Sequence, residues 1–366
     1  MSESAWFTDA QIFTSRSGNY TYYNFKNFKN KNVKSGEEIV LDGNYFVLYP
    51  DDYLWHFISE ALTQYELLLK EVPDLKLLFV ALGNQAFEEP VLTIKEFMEK
   101  LKKVDHYNNL AYMEDIFKVY YGENYSQEKI YNFYKSNLTI TNCYMIFDLR
   151  RLINRGSYVK ANIGKPYWLQ GKHKKNPEGN IIFESDHAPW SNLSNNLSSW
   201  EKDGMKLIRE RFKNFVQEKD LPQKIYIDRS DANKKYREYI NSDPNLKQRY
   251  FSKEYHIKDY FVNNGYTPIV MTDYGYIDQL NFYYNATHIA GMCGTGMLGG
   301  FISKPNTKIM QIYVDNLYNF SYSYLTEIAP VDIISIDLRS CYDGKNLFSN
   351  FKVILDRYKK AGFING

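Results

Sequence analysis

Cysteine is scarce in this chain of 366 residues: Cys143, Cys293 and Cys341 are the only three. They lie too far apart in sequence for a disulfide framework or a zinc cluster, so a reducing compartment is expected. The first residues, MSESAWFTDA, lack the basic segment and apolar centre of a secretory signal. No apolar run approaches the length that spans a bilayer. The expectation is a cytoplasmic protein without a transmembrane segment, which leaves room for peripheral membrane association. A surplus of either charge is also missing, with 45 Lys and Arg against 43 Asp and Glu. A polyanion-binding surface, and with it a nucleic-acid partner, is therefore not expected. H-E-x-x-H, C-x-x-C, a P-loop and the G-x-S-x-G elbow are absent, as is a spaced D-x-D. Metalloprotease, thiol-redox, P-loop and serine-hydrolase chemistries lose their usual signatures.

What is present is enough apolar material for two domains, at 44% hydrophobic residues, and an excess of tyrosine, 34 in all. The stretch 274–314 organises the rest: YGYIDQLNFYYNATHIAGMCGTGMLGGFISKPNTKIMQIYV. An amphipathic run (276–285) leads to a short apolar strand (288–290). A turn dense in glycine follows, at Gly291, Gly294, Gly296, Gly299 and Gly300, then a short helix and a strand at 309–314. Glycine fits where backbone takes positive φ or approaches a ligand closely. Strand, glycine turn and helix N-terminus together suit a phosphate or a sugar hydroxyl. The alternative is a tight turn packed on its own sheet.

Taken in order, residues 1–36 read as an arm or β-ribbon, and 37–49 as a hairpin about Asp42-Gly43. Leu54, Phe57, Ile58, Ala61, Leu62, Tyr65, Leu68 and Leu69 recur at helical spacing and predict a helix over 53–71. A buried strand is expected at 75–82, helices near 93–103, 109–121 and 126–136, and a strand at 143–149. Residues 150–199, rich in basic clusters and polar residues, read as a long irregular insertion. A helix at 200–219 follows. From 221 strands (224–228, 266–271, 331–338) alternate with helices (243–264, 346–360), which predicts a parallel sheet covered on both faces. The domains expected are 1–150, an insertion with a bridging helix at 151–222, and 223–366.

Four groups carry chemistry. His56 and Glu60 stand at i and i+4, so a carboxylate can orient an imidazole for general-base work; a plain surface pair is the alternative. Arg229 follows a strand at its carboxyl end, where open α/β sheets bind ligands, and with Arg237 could grip a diphosphate. Salt bridges to Asp228 and Asp231 are the alternative. The spacing Gly291, Gly294, Gly296 is not G-x-G-x-x-G, which argues against a nicotinamide dehydrogenase. Gln279 could reach a ligand or cap a turn.

The ordered set resembles glycosyltransferase family 61, the group with plant xylan arabinosyl- and xylosyltransferases and animal O-linked N-acetylglucosaminyltransferases. LWHFISEAL carries His56 and Glu60; IYIDRSDA carries Arg229, followed by Arg237 and Asn241; IDQLNFYYNATHIAGMCGTGM carries Gln279, Gly291, Gly294, Thr295 and Gly296. The resemblance implies an α/β protein of GT-B type, with two Rossmann-like domains facing across a cleft. It implies inverting transfer from a nucleotide sugar, UDP-linked by expectation, to a glycan, lipid-linked or protein-linked hydroxyl. The catalytic pair would be His56 and Glu60. Arg229, Arg237, Asn241, Gln279, Gly291, Gly294, Thr295 and Gly296 would bind substrate. No metal or cofactor beyond the donor is expected; the partners are the nucleotide sugar and a carbohydrate acceptor. The sequence departs from the family pattern at Cys293 (usually His), Gly299 (usually Asn) and Gln311 (often Glu). The departures at Cys293 and Gln311 keep open an impaired sugar- or nucleotide-binding module; a different nucleotide-dependent enzyme on the same doubly wound fold is the other alternative, against which the missing G-x-G-x-x-G counts.

Overall fold

The computed structural model describes residues 5–6, 9–30, 38–48, 57–81, 87–103, 112–132, 135–146, 172–175, 181–184, 199–231, 254–292, 294–313, 325–337, 347–360, 362 and 364. Two compact units divide the chain: among the described residues, the first runs to Ile208 and the second from Arg209 onward. The fold class is α/β, as expected.

The first unit is built on a mixed eight-stranded sheet. Its strands are β1 (Ala5–Trp6), β2 (Asp9–Thr14), β3 (Thr21–Asn30), β4 (Glu38–Leu48), β5 (Lys76–Ala81), β6 (Val91–Thr93), β7 (Lys129–Asn132) and β8 (Asn137–Ile146). The spatial order is β1-β3-β8-β4-β5-β7-β6, with β2 also on β3. β4 is parallel to β5 and β8, and β5 to β7, while β3 pairs antiparallel with β8 and β6 with β7. The helices are α1 (Thr63–Glu71), α2 (Ile94–Leu101) and α3 (Met113–Tyr121). Thr93 starts α2 with a reciprocal capping box to Glu96. Phe25, Val47, Val80, Ile140 and Cys143 share one core cluster.

Several local expectations change here. Of the arm or β-ribbon expected at 1–36, the ribbon is found, as the antiparallel pair β2–β3, and it is part of the sheet because β3 also pairs with β8. Asn24 is buried among its aromatics, its amide donating to the Tyr144 hydroxyl at 3.2 Å, so an inward polar residue hid the strand's alternation. Residues 38–48 form one strand rather than a hairpin. The Asp42-Gly43 signal produces a register shift between Leu41 and Asn44, with Gly43 at φ 124°. The helix expected at 126–136 is instead a 3₁₀ turn (Glu123–Gln127) and β7. Gly122, at φ 72°, ends α3, and β7 is drawn into the sheet between β5 and β6. The helix expected over 53–71 opens as a π-helical segment (Phe57–Leu62) before α1. Within the expected irregular insertion, β9 (Lys172–Lys175) and β10 (Ile181–Glu184) pair antiparallel.

The second unit follows the expected alternation. After α4 (Ser199–Lys213) come β11 (Lys224–Ile227), α5 (Glu254–Val262), β12 (Thr267–Ile269), α6 (Tyr276–Asn285), β13 (His288–Met292), β14 (Lys308–Tyr313), α7 (Leu325–Ile328), β15 (Asp332–Asp337) and α8 (Leu347–Lys360). α4 stops at Lys213, short of the expected 219. Asn281 and Asn285 of α6 hold the following chain extended, each accepting from a backbone amide, Gln217 at 2.8 Å and Lys219 at 3.1 Å. The five strands are all parallel, in the order β12-β11-β13-β14-β15. β13 is buried along its whole length, as a central strand covered on both faces must be. Tyr226, Phe261, Ala290, Met310, Ile312 and Leu355 share the core. Gly265, at φ 83°, lies in the turn that closes α5, its amide donating to Val262 O at 3.0 Å.

Candidate functional site

The strand order of the second unit defines where a ligand can bind. From β11 the chain moves outward to β12, then returns to lay β13 on the other side of β11. The loops leaving β11 and β13 at their carboxyl ends therefore diverge, and open α/β sheets bind ligands in the crevice between such loops. Ile227, the last residue of β11, pairs with Gly291 of β13. Arg229 lies two residues beyond Ile227, and the glycine turn follows Gly291.

These loops meet at one point. A Cβ added at Gly294 would lie 3.4 Å from Nη1 and 3.5 Å from Cζ of Arg229. The guanidinium thus rests on the bare Cα of Gly294, which is half-buried, while Gly296 is exposed. The two acidic residues beside Arg229 in sequence make contacts of their own. Asp228 accepts from the Ser230 amide at 2.9 Å and pairs with Lys258 at 3.3 Å. Asp231 accepts from the Thr272 hydroxyl at 2.7 Å.

The glycines serve close approach, not unusual backbone. Every described glycine with left-handed φ lies outside the turn. An added Cβ at Gly291 would fall 2.9 Å from Cβ of Ile227. At Gly299 it would fall 2.1 Å from the Tyr283 ring, and at Gly300 2.7 Å from Cδ1 of Ile309. Those three glycines let the turn pack on its own sheet and on α6. Gly294 meets only the Arg229 side chain; at Gly296, which is exposed, an added Cβ would still fall 3.1 Å from Cγ2 of Ile227.

After the turn the chain forms a 3₁₀ helix, Thr295–Ile302, with Gly294 as its N-cap. Two residues that the motif reading passed over hold it. Tyr283, buried on α6, donates its hydroxyl to the Gly296 carbonyl. Burial pushes that phenol well above its ordinary range, so it stays a donor. Arg209, itself buried, donates from Nε to Phe301 O and from Nη2 to Ser303 O, both at 3.0 Å. The guanidinium takes up carbonyls at the end of the helix that the helix cannot satisfy itself. Tyr283 sat in the apolar stripe of α6 and Arg209 among the charges of α4, so neither carried a motif signal.

The remaining candidates are placed as follows. Gln279 lies on α6, and its amide donates to Tyr274 O at 3.0 Å, the turn-capping contact. Thr295 is the first residue of the 3₁₀ helix. Gln311, one of the departures, is fully buried on β14 opposite Gly291. Glu60 belongs to the π-helical segment of the first unit; π-helical turns occur disproportionately at functional sites. His56, Arg237, Asn241 and Cys293 lie outside the described residues. The structure thus brings together Arg229, Gly291, Gly294, Thr295 and Gly296. An arginine fork beside the first turn of a helix, whose leading N–H groups have no partner in the helix, can hold anionic oxygens such as a diphosphate.

A protein-family model described as Glycosyltransferase 61 matches residues 54–310. That span begins just before the π-helical segment and ends within β14, so it covers the crevice and most of both units. A search among curated proteins finds no match.

Proposed function

The chain belongs to glycosyltransferase family 61 and is a glycosyltransferase; from that premise we propose that it transfers a sugar, with inversion, from a UDP-linked donor to a hydroxyl of a glycan, lipid-linked or protein-linked acceptor. The observation that carries the donor site is the Arg229 guanidinium seated on Gly294 between the diverging loops. The donor diphosphate binds there, with Arg237, Asn241, Thr295 and Gly296 as further contacts, while Gln279 and Gly291 shape the turn that presents them. His56, oriented by Glu60, takes the proton of the acceptor hydroxyl as its oxygen attacks the anomeric carbon. The bond from that carbon to the diphosphate oxygen breaks, and UDP leaves with the bonding electrons. Arg229 and the turn amides offset the charge that develops on it. The chemistry asks for no metal. Two Rossmann-like domains in a GT-B arrangement, working in the cytoplasm on a peripheral or lipid-linked acceptor, complete the reading.

Titration calorimetry with UDP tests the donor site. Arg229→Ala is expected to bind at least about tenfold more weakly, the loss of roughly 1.4 kcal/mol that one charge-assisted contact can supply. Unchanged UDP affinity would remove the diphosphate role. His56→Ala and Glu60→Ala are expected to lose transfer while keeping UDP affinity; full activity in both ends the base assignment.

A further inference from the structure

The first unit contains a cavity of about 580 Å³ that includes none of the residues placed in the transfer reaction. It falls in the range of roughly 300–1,000 Å³ usual for small-ligand pockets. It lies toward the start of β5, against Lys76, Leu77 and Leu78. β4 leaves the sheet further along, at Leu48 opposite Phe79.

Five tyrosines line this one cavity: Tyr45 of β4, Tyr65 of α1, Tyr120 and Tyr121 at the end of α3, and Tyr131 of β7. Their settings are fixed. Tyr65 donates to Leu75 O at 3.4 Å and Tyr121 to Leu77 O at 2.8 Å. Tyr65 and Tyr120 meet edge to face, with centroids 5.7 Å apart. Lys76 Nζ lies 5.6 Å from the centroid of Tyr45. Burial pushes the Tyr121 and Tyr131 phenols up, so both stay neutral. The charged residues lining the cavity are Lys76, Lys129 and Glu128, which leaves no strong field of either sign. Tyrosine presents a rigid apolar face and a hydroxyl that both donates and accepts. That combination matches a sugar ring, whose C–H face is apolar and whose rim is hydroxyl. A nucleotide would call for more positive charge, and a lipid tail for a drier wall.

We propose that this cavity is a second saccharide site, which holds a neutral sugar chain while the transfer site works on another part of it. The choice of a sugar rests on the transferase reading; the cavity itself does not. Saturation-transfer NMR and calorimetry on the full chain test it, with maltohexaose, xylohexaose and chitohexaose as probes and uridine as the competing class. Tyr45→Ala removes one wall, and Leu41→Trp fills the space from a lining position. At least one hexaose is expected to saturate the protein and to bind at least tenfold more weakly in both variants. UDP affinity should stay close to wild type. If Tyr45→Ala does not fold, Tyr45→Phe with Leu41→Trp carries the comparison. Saturation by none of the three hexaoses, binding that ignores both variants, or displacement by uridine each overturns the proposal. Loss of the UDP signal in wild type would count against the donor site alone, since the hexaose measurement is read separately.

Discussion

At Gly299 an added Cβ would fall 2.1 Å from Cε2 and 2.3 Å from Cδ2 of Tyr283. Neither partner can yield cheaply, because the Tyr283 ring is buried and its hydroxyl is tied to Gly296. Gly299→Ala should therefore destabilise the protein by about 1–3 kcal/mol, the usual cost of forcing a methyl into a packed site; a urea midpoint close to wild type would contradict the packing. His288 gives a pH test. It is buried at the start of β13, paired in register between Lys224 and Lys308, and 6.5 Å from the Tyr266 ring centroid. Burial first, and then the two lysines, hold its pKa below the ordinary histidine value. The unfolded chain takes up this proton near pH 6.5 while the folded chain does not. Stability present above that pH therefore falls as pH drops toward the lower folded value. Urea midpoints at pH 7.5 and 5.5 should fall more for wild type than for His288→Gln, and equal falls would clear His288 of the effect. At this scale the sequence exposed the glycines and Arg229 but could not choose between their reasons. Gly299 read either as part of a ligand turn or as part of a packed one, and packing is what it serves, against a buried ring that lies sixteen residues earlier in the chain.

The element on which the crevice depends is the 3₁₀ helix Thr295–Ile302, held at its start by Tyr283 and at its end by Arg209. Arg209→Met keeps the length of the side chain and removes its donors. It should cost about 2–3 kcal/mol, because the Phe301 and Ser303 carbonyls are left buried without their charged partner. A denaturation midpoint within error of wild type would show that the clamp carries little. Elements with strong periodicity were legible. α6 occupies residues 276–285 as its amphipathic run foretold, and α8 runs over Leu347–Lys360. Short elements were not: β7 has four residues, and pairing with β5 and β6 decides its state. Local propensity over so few residues is easily overridden by such pairing.

At the scale of the whole molecule, the two units should respond differently to donor. UDP held in the crevice of the second unit is expected to slow amide exchange along β11, β13 and β14 while leaving β3 and β8 unchanged. Ligand at a hundred times its dissociation constant raises the stability of the state that binds it by roughly 2.7 kcal/mol. Protection confined to the first unit would move the donor site there. The alternation of strands and helices from residue 224, the run of apolar residues in β13 and the ordered motifs of family 61 were all readable in the chain, because each depends on neighbours within a few residues. Strand order was not readable. Whether β13 lies beside β11 or beyond β12 depends on which faces the helices cover, a balance of contacts between residues far apart in sequence. That choice seats Gly294 under Arg229 and opens the crevice; in the first unit the strand order β4-β5-β7 likewise brings five tyrosines from four separate elements around one cavity.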